Sequence, residues 1–186
     1  MAAAPDLYYW GNRLRCLWTI IRELAAGAGR TFDDIDSVRG WLSRQDQCTG
    51  KIGVIGFCMG GAYAVAVAPG HGYSATSVNY GGCPKDAERA LAGACPVVGS
   101  DGGKGPHADG AQRGAPAGAC PDRARRRSRR QGVSARGHGF INDHDPADAT
   151  SLLIFLAKIS GTRYHQASAH DARRRIAAFF GTHLKN

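Results

Sequence analysis

Lys51-Ile52-Gly53-Val54-Ile55-Gly56-Phe57-Cys58-Met59-Gly60-Gly61 decides how this chain is read. Ile52 to Ile55 is an apolar, glycine-punctuated run of strand character, and Ala62 to Ala68 is an alanine-rich and valine-rich stretch long enough for a short buried helix. Between them, glycines two residues either side of Cys58 let a strand turn sharply into a helix, leaving the cysteine at the tip of a strained bend. Residues 56–61 therefore have the form of a nucleophile elbow with cysteine in the place of serine. At a helix N-terminus the macrodipole and free backbone N–H groups favour a thiolate, the reactive form of cysteine. Gly-x-Cys-x-Gly also arises by chance, and a buried cysteine is ordinarily just a small apolar residue. The order strand, elbow, helix is what favours the nucleophile.

Outward from the elbow, Leu14, Leu17, Trp18, Ile21 and Leu24 recur at helical intervals over 12–26, and Gly27 marks the end of that helix. A second helix is expected over 31–44, with Thr31 as its cap and Phe32, Ile35, Val38, Trp41 and Leu42 as its buried stripe. Strands are expected over 51–57, 73–79 and 95–99, with helical stretches over 59–68 and 84–91 between them. The pattern is α/β alternation. Helices over 146–159 and 167–183 close the chain, with Ile176, Phe179 and Phe180 turned inward.

A chain of 186 residues with 43% apolar content suits one domain with a real core. It has no apolar run of the roughly 18 residues needed to span a bilayer, and Met1-Ala2-Ala3-Ala4-Pro5 lacks the regions of a signal peptide, so a cytoplasmic location and no membrane partner are expected. The six cysteines show no Cys-x-x-Cys spacing, which argues against structural zinc and suits reduced thiols. The formal charge of +9 is concentrated between Gly105 and Arg136, where eight arginines stand against Asp109 and Asp122. That segment is rich in Gly, Ala and Pro and has no aromatic residue for stacking on bases, so no specific nucleic-acid partner is expected.

Four stretches together resemble the dienelactone hydrolase family, a branch of the α/β-hydrolases that uses Cys, His and Asp: Ala4-Pro5-Asp6-Leu7-Tyr8, residues 50–61, Asn79-Tyr80-Gly81-Gly82, and Gly137-His138-Gly139-Phe140. The resemblance implies an α/β-hydrolase-like, mostly parallel sheet flanked by helices, forming one partial domain over 1–186 whose first strands are missing. Residues 105–136 form an irregular Arg-, Gly- and Pro-rich segment that occupies the place of the family's triad acid, a helix and a strand. It also implies Cys58 as nucleophile, His138 as the base that deprotonates it and later activates water, and the backbone N–H of Met59 as an oxyanion donor. His71, His144, His165 and His170 lack that context and are expected to be solvated. The implied partner is a small-molecule lactone or ester, with no cofactor and no metal.

The chain departs from the family pattern at the triad acid, expected right after Gly102-Gly103-Lys104, where Gly105 stands. Asp101 is the nearest spare carboxylate to orient His138, with Asp109 a weaker substitute. A one-base shift of frame permits aspartate in place of Gly105 and Val-Lys-Glu-Tyr-Pro ahead of His138. Two further readings stand beside the hydrolase: a catalytically impaired pseudoenzyme or frame-altered fragment, and nucleic-acid binding through the arginines of 123–130.

Overall fold

The structure, a computed structural model, describes residues 1–81, 86–100 and 166–185. Two helices, α1 (Arg13–Ala26) and α2 (Arg30–Ser43), precede strand β1 (Gly53–Phe57). Helix α3 (Met59–Val67), β2 (Ala75–Asn79), the short α4 (Ala87–Ala90), β3 (Val97–Ser100) and the long α5 (Gln166–Leu184) follow. The strands lie in the order β1-β2-β3, all parallel, with Gly53 opposite Ala75 and Phe57 opposite Asn79. A parallel neighbour requires a crossover, and α3 supplies the one between β1 and β2. The helix expected over 146–159 lies outside the described residues, and the one expected over 84–91 is seen as Ala87–Ala90.

Each face of the sheet carries its own apolar layer. On one, Ile20 of α1, Phe32 and Ile35 of α2, and Tyr63 and Val67 of α3 pack with Ile52 and Tyr73. On the other, Ala172 and Ile176 of α5 pack on Tyr80, with Phe57 and Phe180 against them. Gly53 admits this layer because a Cβ there would lie 2.5 Å from the Phe180 ring. Polar bonds fix the helices: the Tyr63 hydroxyl donates to the Ile20 carbonyl at 2.7 Å, and the Arg39 guanidinium donates twice to Gly72 O.

The structure corrects the sequence reading in α1 and α2. Asn12 caps α1 by accepting from Leu14 N, and Gly27 ends it at φ 70°, as its composition suggests. The helix, however, buries Cys16 and Ile20, while Leu14, Trp18 and Ile21 face outward, Trp18 at 73% exposure. Thr31 does not cap α2. It lies buried inside the helix, and the Glu23 carboxylate of α1 accepts from Arg30 N, Thr31 N and Thr31 Oγ1 instead. Trp41, expected in the buried stripe, is exposed.

β1 is an edge strand of the described sheet, and Ile55 at its centre is 44% exposed. A groove of about 840 Å³ runs along that edge between residues 1–5, α2 and the end of α5. It reaches Phe57 and Gly60 but is not lined by Cys58. No helix among the described residues is long and apolar enough to cross a membrane.

Candidate active site

Cys58 joins β1 to α3 as the cap residue of that helix, with φ 52° and ψ −118°. A non-glycine residue with positive φ is uncommon, and such strain persists only where the surroundings over-determine it. Here two hydrogen bonds hold it: Cys58 N donates to Asn79 O of β2 at 3.0 Å, and Cys58 O accepts from Ala62 N at 3.2 Å. The thiol is exposed, whereas Cys16 is buried and Cys48 and Cys95 are partly buried.

Glycines make the bend possible by close approach, though not the pair the motif suggests. A Cβ on Gly56 would lie 1.9 Å from the Gly60 carbonyl oxygen, whereas a Cβ on Gly60 would meet nothing. The second contact is between Gly61 and Gly81, where a Cβ on Gly61 would come within 2.8 Å of the Gly81 Cα. Thus α3 starts jammed against the turn after β2. Gly61 and Gly81 were visible as glycines in the sequence, but their contact joins two elements and has no local signal.

Met59 opens α3, where a main-chain N–H has no acceptor within the helix. Such an N–H, next to an exposed thiol, suits stabilisation of a developing oxyanion. Two tyrosines lie within electrostatic reach of Cys58. The buried Tyr80 phenol is pushed well up by its burial and then by the charge of Cys58, with Arg173 of α5 opposing. The Tyr8 phenol is also raised, by burial first and then by Cys16, Cys58 and Asp6. Tyr8 belongs to the Pro5-Asp6-Leu7-Tyr8 segment, so the fold brings that distant motif to the elbow.

His138, Asp101, Asp109 and Gly105 lie outside the described residues. His71, read from sequence as solvated, is instead paired: its Nδ1 lies 2.8 Å from Asp36 Oδ2, and its ring stacks on Phe32 with centroids 6.0 Å apart. It follows the far end of the nine-residue α3, about 13 Å of helix away from Cys58, so it braces α2 rather than serving the thiol. Among the described residues no cluster of three or more His, Cys, Asp or Glu side chains is placed to hold a metal ion.

A model of the dienelactone hydrolase family matches residues 1–184. The chain belongs to the dienelactone hydrolase family. No curated protein and no solved structure matches it. The α/β-hydrolase fold of that family accounts for the parallel sheet flanked by helices, with β1, α3 and β2 as its elbow region. By family the chain is a hydrolase of the dienelactone hydrolase type, and its partner is a small-molecule substrate.

Proposed function

We propose that this dienelactone hydrolase family member cleaves a lactone or an activated carboxylic ester through an acyl-enzyme on Cys58, with His138 as base. The observation that carries this reading is the exposed Cys58 held at positive φ on the N-terminus of α3. His138 takes the thiol proton, and the thiolate attacks the carbonyl carbon. The oxygen, now negative, is received by the Met59 N–H, and collapse breaks the C–O bond while the imidazolium returns its proton to the leaving oxygen. Water, deprotonated by the same imidazole, then attacks the thioester and frees the acid and Cys58. A thiolate suits a strained lactone or enol ester, whose leaving oxygen departs easily, better than an amide. A dienelactone-type lactone, opening to an oxo-acid, is the substrate class of choice, and the chemistry needs no cofactor.

The test is hydrolysis of a dienelactone and of p-nitrophenyl acetate by the full chain, its Cys58→Ala variant and its His138→Ala variant. Turnover by the full chain that disappears in Cys58→Ala supports the reading, and turnover unchanged in that variant rules it out.

Gly105, standing where the family pattern places the triad acid, favours a second reading in which the same machinery is catalytically impaired. Loss of a triad acid costs roughly four orders of magnitude in rate. Under that reading Cys58 still acylates, but turnover is slower by about that factor.

A further inference from the structure

Asn79 is fully buried in β2, with no exposed surface, and a buried amide is a costly choice for a strand interior. Gly53 and Phe57 of β1 face the α5 layer, and the pairing of Phe57 with Asn79 puts the Asn79 side chain on that same face, beside the equally buried Ser77. Its Nδ2 donates to Gly56 O of β1 at 3.1 Å and to Ser77 Oγ at 3.2 Å. Its Oδ1 is buried and accepts no hydrogen bond among the described residues. An apolar side chain of similar size would remove that orphaned acceptor, whose burial is unfavourable.

What the amide provides in return is a grip on the elbow. Its main-chain oxygen accepts from Cys58 N, and its side chain binds the carbonyl of Gly56, two residues before the nucleophile. One residue therefore holds the chain on both sides of Phe57. Gly56 is also the residue whose missing Cβ admits Gly60, so its peptide orientation sets how α3 leaves the bend. We propose that Asn79 is a positioning residue for Cys58: its side-chain amide fixes the Gly56 peptide and thereby the direction in which the thiol and the Met59 N–H are presented. The inference rests on the hydrolase reading above for its rate consequence, but not for its geometry.

The experiment uses the full chain and its Asn79→Val variant, which keeps a strand-compatible side chain without the donor. Three quantities are measured: kcat and KM for p-nitrophenyl acetate per titrated Cys58 thiol, the rate of Cys58 alkylation by iodoacetamide as a function of pH, and the thermal midpoint. Positioning predicts a kcat lower by roughly tenfold to a hundredfold with KM changed by less than about twofold, slower alkylation, and a thermal midpoint that is unchanged or higher. The proposal is overturned if kcat per thiol and alkylation stay within about twofold of the unaltered chain, or if activity falls only in step with the folded fraction. Should Asn79→Val fail to fold, Asn79→Ser is read in the same way. If the unaltered chain shows no Cys58-dependent turnover, the hydrolase reading fails, while the alkylation rates still decide the role of Asn79.

Discussion

Cys58 and Tyr80 are the non-glycine residues with positive φ among the described residues, at 52° and 43°, and each directly follows one member of the register pair Phe57 and Asn79. Two neighbouring parallel strands thus end in matched strained turns. The Tyr80 turn is held as firmly as the elbow, by Tyr80 N donating to Ser100 O at 2.9 Å and by Gly81 lying against Gly61. The strained turn at Cys58 thus has a second strained turn beside it at Tyr80.

Close packing at the elbow predicts opposite outcomes for glycine substitutions on the two sides of Cys58. Gly56→Ala places a Cβ against the Gly60 carbonyl and should cost about 3 kcal/mol or more, read as a shift of the urea unfolding midpoint. Gly60→Ala meets open space inside α3 and should be neutral or up to about 1 kcal/mol stabilising. Equal effects at the two positions would contradict the assigned geometry.

Glu23 predicts an acid-sensitive link between α1 and α2. Burial alone raises its carboxyl, but the hydrogen bonds from Thr31 and Arg30, with help from Arg22, outweigh this and leave it below its ordinary 4.5. A carboxyl lowered on folding stabilises the fold above its unfolded value and loses that contribution as pH falls through the lowered folded value. Glu23→Gln should therefore unfold more easily than the unaltered chain at neutral pH, by about 1 kcal/mol, as for loss of a helix cap. The gap should close in acid, as followed by thermal melts across pH.

Exposure predicts the order of thiol reactivity. Cys58 should label with iodoacetamide ahead of Cys16, Cys48 and Cys95, as resolved by peptide mass spectrometry. Labelling of Cys58 at or below the rate of Cys48 would contradict the elbow assignment.

The outward stripe of α1 predicts a surface effect without a stability effect. Trp18→Ser should change stability by less than about 0.5 kcal/mol while lowering binding of an apolar dye, because Leu14, Trp18 and Ile21 are exposed.

The α/β alternation and the elbow were legible because strand, glycine turn and helix are local patterns, and β1, Cys58 and α3 follow one another without a gap. The stripe of α1 was legible as a period but not as a direction. Which side turns inward depends on partners elsewhere, such as Tyr63 reaching Ile20 O. The cap of α2 by Glu23 spans eight residues and two helices, so the local rule that pointed to Thr31 could not find it. Asn79 read as one residue in a strand, and its grip on Gly56 appears only once the register of β1 and β2 is known.

The most direct test of the central claim is the mass of the chain quenched in acid during turnover of an activated ester. The account predicts a covalent adduct of acyl mass that maps to the peptide holding Cys58 and is absent from Cys58→Ala handled alike at the same pH and time. An adduct on another residue, or ester turnover with no acyl-Cys58 under conditions where deacylation is slowed, would contradict it.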